Sequence, residues 1–157
     1  MQRSLVTWYL LVVVQAFAFA TAAYFDLHIN LWTEDQTKLS FAILGLWLVS
    51  TVFIGIWHTK KSKIEIQHVG KVGWYLAETA LALGMVGTIA GFLLMLGTAF
   101  ANIDVSDTAT LQTALTNMAL GMSTALYTTL VGLIVSLFLK SQLVNLEHYA
   151  DGLRGQV

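Results

Sequence analysis

The sequence predicts an all-α, polytopic membrane protein with four transmembrane helices, and three observations lead to that fold class. Of its 157 residues, 57% are hydrophobic and only 11% are charged, whereas about a quarter of the residues in a soluble domain are charged. Four apolar stretches are long enough, or nearly so, to cross a hydrocarbon core of ~30 Å. Proline is absent, so no helix is interrupted by a proline ring. We therefore expect a single transmembrane domain over residues 1–157.

Each predicted span has its own boundary signals. The first span begins after Arg3 and ends in an Ala-rich segment, features that it shares with a secretory signal peptide. Its apolar run is too long for the hydrophobic region of such a signal, so we expect a lipid-facing anchor. Thr33 followed by Gln36 fits a capping box at the start of the second span. Asp107 is a candidate N-cap for the fourth. The four spans are predicted at about 5–25, 36–58, 76–100 and 111–139.

Two polar segments complete the predicted layout. A short basic connection, 59–75, joins the second and third spans. Beyond the fourth span, leucines recur at helical spacing, which predicts that the last helix extends into the cytoplasm as a tail over 140–157. If four spans cross, nearly all basic residues fall on one side, which the positive-inside rule makes cytoplasmic together with both termini. These residues are Arg3, Lys60, Lys61, Lys63, Lys71, Lys140 and Arg154, and Lys38 falls on the other side.

Composition and motifs also exclude several functions. A net charge of −1 provides no basic face for a nucleic acid. Cysteine is absent, which removes disulfides, thiolate catalysis and zinc–thiolate sites. The four histidines share no metal-ligand spacing, and no phosphate loop, nucleophile elbow or paired carboxylate occurs. We therefore expect neither an enzyme nor a resident metal or cofactor.

Small and hydroxyl-bearing residues form a polar stripe on each of the last two spans. On the fourth span they follow steps of three and four residues, which places them on one helical face; they are Thr113, Asn117, Gly121, Thr124, Thr128 and Gly132. On the third span the corresponding residues are Gly84, Thr88, Gly91, Met95 and Thr98. One interpretation is that these residues, with Gly87, let neighbouring helices or subunits approach closely. The other is that they line a narrow polar path.

Glu78 is the one acid within an apolar span, two residues inside the predicted cytoplasmic end of the third span. A carboxylate inside a membrane is a functional candidate by default. So near the interface it also fits a simpler role, in which it reaches the water or pairs with Lys71. The sequence leaves ion entry and interfacial anchoring as alternatives.

Two segments resemble a known family. LGMVGTIAGF (83–92) resembles the pore-helix signature of the MotA/TolQ/ExbB ion-channel subunits, and GMSTALYTTLVGLI (121–134) resembles the partner signature on the next span. The four-span layout with both termini inside is similar to the MotA branch, in which the last two spans line the pore. By this resemblance the family's two signature threonines fall on Thr88 and Thr129. The acidic residue of ExbB and TolQ falls on Thr124, a proline of many members falls on Leu120, and the large cytoplasmic domain of MotA has no counterpart in 59–75.

The resemblance implies a function and an assembly. It implies a proton or sodium channel subunit in the inner membrane, forming a ring of five copies around two copies of a single-span MotB-, ExbD- or TolR-like partner. Ion flow through the ring would move the partner. The pore-lining candidates are then Thr88, Thr129, Thr124, Thr128, Asn117 and Glu78, and the helix-packing candidates are Gly84, Gly87, Gly91, Gly121 and Gly132. The alternative from another class is a non-conducting tetraspan scaffold in which the same residues serve packing alone.

Overall fold

The computed structural model describes residues 2–26, 29, 32–33, 35, 37–58, 63–100 and 108–152. Its four long helices are α1 (Gln2–Tyr24), α2 (Leu39–His58), α3 (Lys63–Phe100) and α4 (Thr108–Gly152). Each is long and apolar enough to cross a membrane, which confirms the all-α prediction with four helices able to span. The candidate spans within them are Val6–Tyr24, Leu39–Trp57, His68–Thr98 and Thr108–His148.

α3 begins earlier than predicted and α4 continues as predicted. α3 begins at Lys63, so most of the predicted connection 59–75 is the first three turns of that helix. α4 continues without a break through Gly152, thirteen residues beyond the predicted span, as the helical spacing of its leucines predicted. Charged residues in these segments end the apolar run, but they do not prevent helical hydrogen bonding, because lysine and glutamate are good helix formers.

The start of α2 differs from the predicted capping box. The hydroxyl of Thr33 donates backwards to the carbonyl of Ile29, at 3.0 Å, and Gln36 lies outside the described residues. Asp35 takes the capping role: its carboxylate accepts bonds from the amides of Lys38 and Ser40, each at 2.9 Å, and from the hydroxyl of Thr37 at 2.7 Å. Burial alone raises the pKa of Asp35, but these hydrogen bonds outweigh it and hold the pKa below its usual value. The predicted cap at Asp107 also lies outside the described residues.

α3 and α4 form an antiparallel pair with the most extensive contact in the molecule, and α2 packs against both. The core they share is built from aliphatic side chains and alanines. Its fully or almost fully buried members include Ile43 and Ile54 on α2, Ala77 and Ala80 on α3, and Val135, Leu139, Leu143 and Leu146 on α4. α1 contacts α4 and, more weakly, α2.

A buried polar cluster fastens α1 and α2 to α4. The side-chain amide of Gln142 donates to Oε1 of Gln15 at 2.6 Å and to the hydroxyl of Thr51 at 3.2 Å. Gln15 in turn donates to the carbonyl of Phe138 at 3.2 Å and to the hydroxyl of Ser141 at 3.3 Å. Because an unpaired amide is costly in hydrocarbon, these bonds fix the level at which the outer helices meet α4.

Candidate functional site

The site is organised by a glycine contact between α3 and α4. A Cβ added to Gly132 would lie 2.9 Å from both the carbonyl oxygen of Ala80 and the Cα of Gly84. One added to Gly84 would lie 3.2 Å from the Cα of Gly132 and from the carbonyl oxygen of Thr128. Distances this short leave no room for a side chain. The two backbones therefore touch, and whatever flanks this point on either helix is brought together.

Three further glycines continue the same contact along the pair. Gly91 lies against the backbone of Ala125, Gly87 lies against the side chain of Thr128, and Gly121 lies against Met95. All three contacts are within one chain. The sequence left open whether such glycines admit a neighbouring helix or a neighbouring subunit, and in the structure the helix they admit is the chain's own.

A pair of hydroxyls lies beside the glycine contact. Thr88 and Thr129 share a hydrogen bond between their Oγ1 atoms. Both hydroxyls also reach the carbonyl of Gly84, from Thr88 at 3.1 Å and from Thr129 at 3.3 Å, and that of Thr129 is 3.1 Å from the carbonyl of Ala125. Two hydroxyls and two carbonyls are thus concentrated within one helical turn of the α3–α4 pair.

The hydroxyl pair lies on the open side of the α3–α4 pair. Gln142, which holds α1 and α2, lies roughly 140° around α4 from Thr129 at 100° per residue, so the outer helices pack on the opposite side. Thr88 and Thr129 are half-buried rather than enclosed. Beside Thr88 a groove of about 400 Å³ opens, lined by apolar residues such as Phe92, Met122 and Leu126.

The helix pair that carries this site matches a family model. The model describes the MotA/TolQ/ExbB proton channel family and matches residues 61–150. That range is more than half of the chain and takes in both glycine-rich segments. The chain belongs to the MotA/TolQ/ExbB proton channel family. Neither a curated protein nor a solved structure matches the chain.

Family membership confirms the resemblance drawn from the two segments, and the match begins just after the outer helix α2 ends. α3 and α4 fall almost entirely within residues 61–150, whereas α1 and α2 precede them. The matched part is therefore the glycine-packed pair with its hydroxyls. Four helices able to span and membership in a channel family together make the chain a multi-pass membrane protein.

The other four predicted pore-lining residues do not share one environment. Thr128 is fully buried, packs against Gly87 and donates to the carbonyl of Ala125 at 3.1 Å, so it belongs to the contact within the chain. Asn117 is half-buried on α4. Thr124 lies on α4, but its side chain is outside the described part. Glu78 is exposed on α3, on a helix face that no described helix covers.

Two polar contacts escaped the sequence analysis. One is the Gln15–Gln142 cluster, and its sign in the sequence was a glutamine inside the first apolar span. The other lies near the start of α3, where the indole Nε1 of Trp74 donates to a carboxylate oxygen of Glu147 at 2.6 Å. The ammonium of Lys140 lies 5.8 Å from the centroid of the same indole, within range of a cation–π interaction. Nothing in the local pattern linked residues so far apart in sequence.

Proposed function

We propose that this chain is the ion-channel subunit of an energy-transducing motor complex of the inner membrane. Five copies form a ring around two copies of a single-span partner like MotB, ExbD or TolR. Protons or sodium ions pass along the inner face of the ring and move the partner helices. Both termini lie in the cytoplasm in this arrangement. The ion is cargo, and the subunit requires neither a cofactor nor enzyme chemistry.

The observation that carries the proposal is the Thr88–Thr129 hydroxyl pair on the open side of a channel-family helix pair. A shared hydroxyl bond inside hydrocarbon stabilises helix contact whether or not ions pass. Packing alone, however, favours hydroxyls enclosed as Thr128 is. Thr88 and Thr129 are half-buried, and the groove beside Thr88 lies on the side free of α1 and α2, where a ring would place its axis.

Because the two threonine hydroxyls do not titrate, the group that takes up and releases the proton belongs to the partner. Threonine hydroxyls accept and donate hydrogen bonds but carry no charge at neutral pH. With threonine at 124, this helix pair has no carboxylate beside the hydroxyls, so a membrane carboxylate on the partner helix takes up and releases the proton. Neutral hydroxyl and carbonyl oxygens also suit sodium, a hard cation. Each charge crossing the membrane releases about 2.3 kcal/mol per 100 mV to drive the movement.

The test is ion flux through the complex reconstituted in liposomes with its single-span partner, under an imposed membrane potential. Thr88→Val and Thr129→Val keep the side-chain shape but remove the hydroxyl, and each is expected to abolish flux while the ring stays intact. Matched controls are Thr79→Val and Thr116→Val, because among the described residues these hydroxyls bond only the carbonyl one turn back on their own helix, at 2.8 and 3.0 Å. The controls should conduct like the unmodified complex, and the subunit without its partner should be silent.

The non-conducting scaffold predicts a different pattern. There neither the unmodified complex nor any of the four threonine variants would conduct above the background of empty liposomes. Full flux in both Thr88→Val and Thr129→Val would show that the pair serves packing, and it would contradict the proposed ion path.

A further inference from the structure

A charged cavity lies between the start of α3 and the end of α4. Its volume is about 390 Å³, and its walls include an ammonium, an indole and two carboxylates, those of Lys71, Trp74, Glu147 and Asp151. Lys71, Trp74 and Glu147 fall within the candidate spans His68–Thr98 and Thr108–His148. Ionisable side chains that line a cavity at membrane depth are characteristic of ion pathways.

Helix geometry places this cavity on the same side of the pair as the two hydroxyls. Glu147 follows Thr129 by 18 residues, and Gly70, another wall residue, precedes Thr88 by 18 residues. At 100° per residue, 18 residues make five complete turns, or about 27 Å along the axis. Gln142, which holds the outer helices, lies about 140° around α4 from Glu147. The cavity and the hydroxyl pair therefore lie in line, on the side free of α1 and α2.

The indole of Trp74 fixes the position of the Glu147 carboxylate. Its Nε1 donates to a carboxylate oxygen at 2.6 Å, and a hydrogen bond to an ionised carboxylate is roughly twice as strong as one between neutral groups. The ammonium of Lys140 lies 5.8 Å from the centroid of the same indole. Lys140 follows Thr129 by 11 residues, which is about 20° from the same line. An ion that moves along this side of the pair passes both charges.

We propose that the cavity is the cytoplasmic mouth of the ion path, where Glu147 attracts a small hydrated cation, either hydronium or sodium. The inference rests on the ring and the orientation in the proposed function. Trp74 is a positioning residue, since it holds the carboxylate at the cavity wall. Lys140 acts in the opposite sense, because its positive charge repels cations between the mouth and the hydroxyl pair.

Removing either charge should change cation flux in opposite directions. Glu147→Gln keeps an oxygen that can accept the indole bond but loses the negative charge, so it should lower flux several-fold at ~10 mM salt, where the Debye length is ~30 Å. Lys140→Gln should raise flux in the same conditions. Both differences should vanish near ~1 M salt, where the Debye length is ~3 Å. A merely structural role of the Trp74 contacts predicts lower flux in both variants at every ionic strength.

These fluxes are measured on the complex reconstituted with its single-span partner. Choline chloride sets the ionic strength while the concentration of the transported ion stays constant. The matched control is Asp26→Asn, which also removes one negative charge, at an exposed position just beyond the end of α1. It should conduct like the unmodified complex at both ionic strengths.

Thiol block tests the position of the mouth independently of its charge. The chain has no native cysteine, so Glu147→Cys and His148→Cys can be compared near ~1 M salt, where the lost charge no longer lowers flux. An impermeant cationic thiol reagent is added at the face where α3 begins. It should block flux through Glu147→Cys. It should modify His148→Cys without loss, because this exposed position lies about 100° further around α4.

Three results would overturn the inference. They are changes of flux that are absent or of one sign in Glu147→Gln and Lys140→Gln, complete modification of Glu147→Cys without block, and loss of partner copies from the Glu147→Gln complex in native mass spectrometry. The last result would show that the cavity docks a basic segment of the partner. Thr88→Val, measured beside them, separates this inference from the proposed function. If it abolishes flux while the tests of Glu147 fail, the mouth alone is rejected, whereas an unmodified complex that never conducts rejects the ion path and its mouth together.

Discussion

The backbone contact between α3 and α4 makes Gly132→Ala an informative single change. The new methyl carbon would lie 2.9 Å from a carbonyl oxygen and 2.9 Å from the Cα of Gly84. Both atoms are backbone, so no side-chain rotation relieves the clash. To reach an ordinary contact of 3.4 Å, the two helices would separate by roughly half an ångström, and such overpacking costs about 1–3 kcal/mol.

A matched change isolates the clash from helix propensity, since alanine in a helix is favoured over glycine by about 1 kcal/mol. Gly45 on α2 has nothing within 4 Å of an added Cβ. Gly45→Ala therefore gains the propensity term alone, whereas Gly132→Ala combines the same gain with the clash. We expect Gly132→Ala to be less stable than Gly45→Ala by about 1–3 kcal/mol.

The assay is equilibrium unfolding of the two purified variants in the same mixed micelles. The free energies of unfolding are compared with each other and with that of the unmodified protein. A Gly132→Ala variant as stable as Gly45→Ala would refute the backbone contact, and with it the geometry that brings Thr88 to Thr129.

Three further predictions address the outer helices, the start of α2 and the topology. Gln142→Leu removes the donor to Gln15 and Thr51 and should lower the free energy of unfolding by about 1–2 kcal/mol in micelles. Asp35→Ala should cost about 0.5–2 kcal/mol at neutral pH. Because the pKa of Asp35 is lowered in the folded protein, this difference in the free energy of unfolding should be full above the unfolded pKa of about 3.9 and should fade as the pH falls through the folded pKa. A difference that stays the same in acid would contradict the cap. Ser62→Cys should label from the cytoplasmic side and Asn30→Cys from the outer side with impermeant reagents, and external labelling of Ser62→Cys would overturn the orientation.

The helices themselves could be predicted from hydropathy, because membrane-length apolar runs have few alternative structures. The start of α3 could not, because Lys71 ends the apolar run while helical hydrogen bonding extends back to Lys63. The continuation of α4 beyond Lys140, in contrast, was predicted from the helical spacing of its leucines. At α2, Thr33 and Asp35 are both suitable capping residues, and only the folded backbone decides which side chain meets the free amides.

The candidate site shows where periodicity stops being informative. Steps of three and four residues grouped Thr128 with Gly121 and Gly132, and the structure places all three on the face that meets α3. The period shows that these residues share a face, but it carries no information on whether that face meets the chain's own helix, a second copy or an ion. Thr129, one residue further, lies on the open side, and the family resemblance rather than the spacing singled it out.

The central claim is that the Thr88–Thr129 side of the helix pair lines the ion path, and thiol block of flux tests it most directly. Since the chain has no native cysteine, Thr88→Ser and Thr88→Cys can be compared in the reconstituted complex before and after a small water-soluble thiol reagent is added. We predict that Thr88→Ser conducts throughout and that Thr88→Cys loses its residual flux as the thiol reacts. Complete modification of Thr88→Cys with no change in ion flux would contradict the account.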